Sequence, residues 1–391
     1  MPKRIILQSG LIVTPNQEIE DSAILIEDEK IAWVGNQEEL PLRENAEIMD
    51  LKDNIIIPGF IDIHFHGYGG HTVCESPEAL ATIARHLTKC GTTSFLPTIR
   101  GISGFDSLVT KLKQVGNTKV IEDGANVLGI HMEGPFLSPE EPAIGSQSLE
   151  SLRLPSVSEL VQMQEAANGA IRYMTIAPEL NGAIEVIKEM VRQGIVPSAG
   201  HSNASYEEVG LAVEFGLRSA THFYNGMPSM HHRSPGLVGA ALTMPELNVE
   251  LIGDGMHVGK VAMEILFRCK GPENVVLVSD NTEVTGLPDG IHRNENGAIR
   301  IIQGRRCVTE NGRLSGSVMP MNEIVRNVMR TTSCSFSEVI KMATLNPALL
   351  ICYGDKKGSI AKGKDADLVV VDRNLNVKLT IVKGKIVFYA N

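Results

Sequence analysis

The sequence predicts an α/β chain: a (β/α)8 TIM-type barrel with a small β-sandwich domain built from both chain ends. Three observations lead there. The chain has 391 residues, too many for one minimal domain and suited to a large barrel plus an accessory unit. Short apolar strands alternate with helical stretches from Gly59 to about Leu350. Strand-like runs punctuated by glycine turns occupy the two ends instead.

The elements follow in order. Arg4–Val13 reads as a strand, and Asp21–Val34 as two strands flanking a turn at Glu27–Lys30; Ile55–Ile57 then leads into Pro58-Gly59. Eight barrel strands come next: FIDIHFH, TTSFLPT, VLGIHME, RYMTIAPE, IVPSAGH, SATHFYN, VELIGDG and VVLVSDN. Pro77–Cys90, Asn181–Gln193 and Ser205–Phe215 are helical stretches among the intervening segments. GSIAKGKDADLVVVD and VKLTIVKGKIVFY return to strand character. The expected division is therefore residues 1–57 and 351–391 for the small β domain and 58–350 for the barrel.

Composition excludes several functions. The formal charge is −10 and no Lys/Arg run is long enough to neutralise a nucleic-acid backbone. An anionic small molecule would need a local positive pocket, because the net field repels it. The N-terminus lacks the apolar core of a secretory signal, and no window of about 18 apolar residues suggests a membrane span. Cys74, Cys90, Cys269, Cys307, Cys334 and Cys352 are scattered without a CxxC pair, which suits reduced thiols in the cytoplasm.

Barrel enzymes place their chemistry at the C-terminal ends of the strands. Here the first strand ends in Asp62-Ile63-His64-Phe65-His66, and side chains two apart share a face, so His64 and His66 are ready to hold one metal ion. The third ends in His131-Met132-Glu133, the fifth at His201, the sixth at His222 and the eighth at Asp280. One buried histidine is ordinarily a hydrogen-bonded core residue. Four of the chain's 11 histidines at such ends, with carboxylates beside them, need a common partner, and a divalent metal is the usual one. The donor types suit zinc, with iron, manganese, cobalt or nickel as alternatives, and one or two ions. Such an ion acidifies water and polarises a carbonyl, and Asp280 is the carboxylate best placed to shuttle a proton. The residues alone leave open a cyclic-amide hydrolase, a base deaminase or a non-catalytic barrel.

The segments PGFIDIHFHG, HMEGPFLS, AGHSNAS, THFYNGMPSMHHRSPG, IGDGMHV, LVSDNTEVTGLPDG, GRLSGSVMPM and ATLNPA occur in this order. Together they resemble the N-acetylglucosamine-6-phosphate deacetylase family of the amidohydrolase superfamily, from about Pro58 to the C-terminus. The resemblance implies a deacetylase acting on a small amino-sugar phosphate. Glu133, His201 and His222 would hold the principal metal, and His64 with His66 a second one. Asp280 would be the general base and then the general acid. Asn225, Gly226, Arg233 and His257 would hold the sugar phosphate, with Arg233 reaching into the neighbouring site of a homodimer. One loop departs from the pattern. Where the family has a run close to Lys-Gly-Ala-His, this chain reads Ile144-Gly145-Ser146-Gln147. Gln147 can hydrogen-bond sugar hydroxyls but carries no charge, so a galactosamine epimer is also a candidate substrate.

Overall fold

The computed structural model describes residues 3–15, 17–41, 46–118, 120–293 and 297–390. Eight parallel strands form the barrel: Phe60–Phe65, Thr92–Arg100, Ile130–Glu133, Ile171–Ile176, Val196–Ala199, Ser219–Ala220, Asn248–Ile252 and Val275–Val278. Each falls on one of the eight segments expected from the sequence. The last strand returns to the first. Asp280 donates its backbone N–H to the His64 carbonyl at 2.9 Å, and His66 donates to Asn281 at 2.8 Å. Below them the buried Asp62 carboxylate accepts the Ser279 N–H at 3.2 Å.

The strands are shorter than the apolar runs suggest because the chain turns sharply at their ends. The sixth stops at Ala220, and the next residues leave the strand direction, with His222 at φ 30° and Tyr224 at φ 75°. His201 and Asp280 also have positive φ, 48° in each. Residues with a Cβ seldom adopt this conformation, and where they do the surrounding structure has to hold them in it.

The helices follow their local signals. Pro77–Lys89 has Ser76 accepting the Ala79 N–H, proline at its start and His86 and Lys89 in its last turn. Tyr206–Glu214 begins with a capping box in which Ser205 and Glu208 satisfy each other's backbone N–H. Ala183–Arg192 sets Val186, Ile187 and Met190 against the barrel, as its apolar spacing requires.

Both chain ends meet in one seven-stranded sheet. Its order is Lys385–Tyr389, Val377–Val382, Leu368–Val371, Glu47–Pro58, Arg4–Val13, Glu18–Glu27 and Lys30–Asn36. The short run expected at Ile55–Ile57 is the end of a 12-residue strand. Residues 358–367 form turns and bridges, and regular strand resumes only at Leu368. A three-stranded antiparallel sheet, Gly290–Arg293, Ile299–Gln303 and Arg306–Thr309, was not anticipated; its strands are short and mostly half-buried or exposed, so they carry little hydrophobic pattern.

An ionic knot ties the terminal sheet to the chain leaving the barrel. Lys357 is buried between Asp365, at 3.0 Å, and Asp367. Asp365 also accepts Lys30 at 2.6 Å, while the Asp367 carbonyl accepts the Gly59 N–H at the entrance to the barrel. Burial pushes the Asp367 carboxyl up, against the attraction of Lys357. Replacing Lys357 with methionine leaves two carboxylates without their shared cation. The expected cost is about 3–5 kcal/mol, the scale for breaking a buried pair from one side. Urea unfolding of Lys357→Met checks this, and an unchanged midpoint would show that the knot contributes nothing.

Candidate active site

The C-terminal mouth of the barrel gathers His64, His66, Glu133, His201, His222 and Asp280, all buried. Their ring orientations are set by what holds the far nitrogen. His64 directs Nδ1 to the Glu250 carboxylate at 2.9 Å, His66 to the Thr98 carbonyl at 3.1 Å, and His201 to the Ala143 carbonyl at 2.7 Å. An acceptor at Nδ1 places the proton there and leaves the Nε2 lone pair free. These lone pairs all point into one space. The Nε2 atoms of His64 and His66 are 3.2 Å apart, and those of His201 and His222 are 3.1 Å apart.

Lone pairs this close repel unless a cation lies between them, which is the fit expected of a metal centre. Glu133 serves both halves. Its Oε1 lies 2.9 Å from His201 Nε2 and 3.3 Å from His222 Nε2, and its Oε2 lies 3.5 Å from His66 Nε2. Two sets of three donors result, His64/His66/Glu133 and Glu133/His201/His222, sharing one carboxylate. The electrostatics ask for the same thing. Against the effect of its burial, Glu250, Asp280 and Glu133 lift the His64 imidazole to about 10, so the pocket draws in positive charge. Glu133 is held well below the usual carboxylate range despite its burial, by hydrogen bonds from His201 and His222.

Asp280 Oδ1 sits 3.2 Å from His66 Nε2 and 3.5 Å from His64 Nε2. Burial works against its ionisation, but His64 and His66 outweigh it and hold the carboxyl below its ordinary range. It is therefore an ionised acceptor at neutral pH.

The residues expected to hold a sugar phosphate are brought only partly together. Asn225 packs its amide against the His222 and Phe223 carbonyls, at 3.2 and 3.1 Å. Gly226, at φ 62°, leaves little room for a side chain: the backbone is in the left-handed region and a Cβ would lie 3.0 Å from His201 Nδ1. His257 bonds Asp254 at 2.7 Å through Nδ1. Against its burial, Asp254 and the more distant Asp280 raise its pKa, favouring the cation. Arg233 is not joined to them. It lies in an exposed turn where, among the described residues, its guanidinium meets only the His232 ring, at 2.8 Å. Gln147 is buried deeper than a surface-loop residue, with its amide 3.4 Å from His201 Nε2.

Several members of the site were not anticipated. Glu250, Thr98, the Ala143 carbonyl and Asp254 orient its rings, and Arg100 reaches within 3.8 Å of Glu133 while donating to Ser146 at 3.2 Å. His131 is a core residue, its ring nitrogens 3.2 Å and 2.8 Å from the Thr98 and Thr175 hydroxyls. The one sequence signal for Glu250 was a lone acid in the apolar strand VELI, facing the barrel interior.

The amidohydrolase family model matches residues 55–387. N-acetylglucosamine-6-phosphate deacetylase from Bacillus subtilis is 35% identical, over 99% of this chain and 98% of that protein. N-acetylgalactosamine-6-phosphate deacetylase from Escherichia coli is 30% identical, over 97% and 98%. The solved structure of N-acetylglucosamine-6-phosphate deacetylase from Thermotoga maritima superposes with a TM-score of 0.87 at 30% identity, covering 98% of this chain and all of that one. A mutant enzyme from Mycobacterium smegmatis, in complex with N-acetyl-D-glucosamine-6-phosphate, gives 0.90 at 25% identity over 98% and 99%. The donor arrangement, the barrel and the full-length similarity agree: the chain belongs to the N-acetylglucosamine-6-phosphate deacetylase family of amidohydrolases.

Proposed function

We propose that this protein removes the acetyl group from N-acetylglucosamine 6-phosphate or its galactosamine epimer, releasing acetate and the amino-sugar phosphate. The convergence of five ligand side chains and the ionised Asp280 at one buried rim carries the reading. Glu133, His201 and His222 would hold one divalent ion and His64 with His66 a second, with Glu133 shared; zinc suits the nitrogen-rich donor set. When bound, such an ion supplies a Lewis acid for the acetyl carbonyl and lowers the pKa of water.

The chain's own residues supply the rest. Asp280 accepts a proton from the attacking water and returns it to the departing amine. The Asn225-Gly226 turn and His257 receive the phosphate, where the raised pKa of His257 favours an anion. Gln147, beside His201, offers a neutral donor and acceptor to a sugar hydroxyl. Arg233, extended on a turn with the exposed Met230, His231 and His232, would complete the phosphate site of a second copy in a homodimer. Six free cysteines suit a cytoplasmic setting.

Acetate release should be seen with both phosphorylated epimers and be much weaker without the phosphate. A chelator should abolish it and zinc restore it; full activity in metal-free protein would sink the metal reading. The variant Asp280→Asn keeps the shape of the side chain but cannot take up the proton. Its kcat should fall by about 100-fold or more, the scale for a lost general base, with metal content little changed. A kcat near wild type would remove Asp280 from the mechanism.

Arg233→Ala should lower kcat/KM for phosphorylated substrates by roughly 10- to 150-fold, the value of a lost charge-assisted bond, and spare the unphosphorylated analogues. Mixing it with Asp280→Asn under conditions of subunit exchange should restore activity, because each hybrid keeps one site with both residues intact. Equal losses on both substrate classes would make Arg233 structural, and no rescue would place it in its own subunit's site.

A further inference from the structure

One buried acid stands behind the metal ligands and is used by no step above. Glu250 lies on the seventh barrel strand with no exposed surface. A single oxygen of it, Oε2, lies 2.9 Å from His64 Nδ1 and accepts the backbone N–H of His222 at 2.9 Å. These two residues belong to different donor sets, one on the first strand and one just beyond the sixth. His222 is also held at φ 30°, a conformation that needs an external restraint.

We infer that Glu250 is a positioning residue: it fixes the His64 tautomer that turns Nε2 toward the metal space and tethers that ring to the backbone of His222 in the other donor set. The inference rests on the metal reading above. His64, His131 and Glu250 also have ligating atoms close enough to suggest a third metal group. The contacts argue for a hydrogen-bonded support instead. His64 Nδ1 already faces Glu250, and both His131 nitrogens already face threonine hydroxyls. With Nδ1–H bonded to Glu250, His64 has one nitrogen left, and it faces His66.

The two functions of the carboxylate are separable. Glu250→Gln retains an oxygen able to accept both N–H groups but removes the negative charge. Glu250→Leu removes both. The ring nitrogen of His64 is held directly, whereas only the backbone of His222 is held. The affinity of the ion at His64 and His66 should therefore suffer more than that of the ion at Glu133, His201 and His222.

Zinc binding to the full-length protein, measured by elemental analysis after equilibration with buffered free zinc, tests this without reference to turnover. The affinity of the His64/His66 ion should fall about 10- to 100-fold in Glu250→Gln, the usual scale for losing a support of this kind, and further in Glu250→Leu. The other ion should change by less than a few-fold in Glu250→Gln. A His64→Ala variant identifies which ion is which, and adding Glu250→Gln to it should have no further effect on zinc, because both changes act through one ring.

Unchanged affinity at both sites in Glu250→Gln and Glu250→Leu would overturn the inference. Equal loss at both sites, or a full additional loss in the His64→Ala background, would overturn it too and mark Glu250 as a general structural residue. Thermal unfolding of the metal-free proteins separates that outcome from misfolding, since Glu250→Gln should melt with the wild type. A wild-type chain that binds no zinc at all would instead defeat the metal reading on which the inference stands.

Discussion

A carboxylate taken out of water costs several kcal/mol unless cations or hydrogen-bond donors meet it. Glu133 is buried at the centre of the barrel mouth, with histidine nitrogens around both of its oxygens, and Glu250 and Asp280 are buried within a few ångströms of the same rings. Three acids in so small a volume would repel one another and resist ionisation. The imidazoles offset this, and each ring must then be held in a particular orientation. Much of the surrounding architecture answers that requirement: the Thr98 and Ala143 carbonyls fix His66 and His201, and Glu250 fixes His64.

Beneath the donors the barrel interior is unusually polar. Tyr173 lies 2.9 and 2.8 Å from the Ser198 and Ser219 hydroxyls, Thr221 bonds Ser198 and Thr175, and Thr175 meets His131. Such a layer is stable only when nearly every member is satisfied, and then it is stiff. It forms the floor on which the ligand strands end. Below and around it the ordinary apolar core takes over, including Ile61, Ile63, Leu96, Val276 and Val278. The rigid floor and the positive φ of His201, His222 and Asp280 act together. The strands stop, the chain bends back, and the side chains enter the mouth instead of continuing the alternation of the sheet.

Around the rim, cationic side chains stand among the buried acids. The net charge is −10, yet Arg100 stands beside Glu133, His257 is held toward its cationic form by Asp254, and Gln147 is sheltered near His201. The loop carrying Gln147 is itself anchored from the three-stranded sheet side, where Arg313 donates to Gly145 at 3.0 Å and pairs with Glu141 at 2.7 Å. A segment whose sequence departs from its family is thus held in position by an element outside the barrel strands.

The sequence by itself determined the barrel, its eight strands and the strand-end residues His64, His66, Glu133, His201, His222 and Asp280. Those properties follow from local periodicity and from residue types that are costly to bury without a partner, and both can be read along the chain. It could not show that Glu250 supports two donor sets, that Asp62 reaches Ser279 across the closing seam, or that His131 faces threonines and not the metal space. Each of those contacts joins residues 28 to 217 positions apart. Which side chains meet at such separations depends on strand stagger, on where each strand turns off the barrel and on which ring nitrogen finds an acceptor. Arg233 shows the same limit from the other direction: its residue type suits phosphate, but the fold of one chain leaves it on an exposed turn. Local chemistry selects the residues, and only closure of the barrel decides which of them touch.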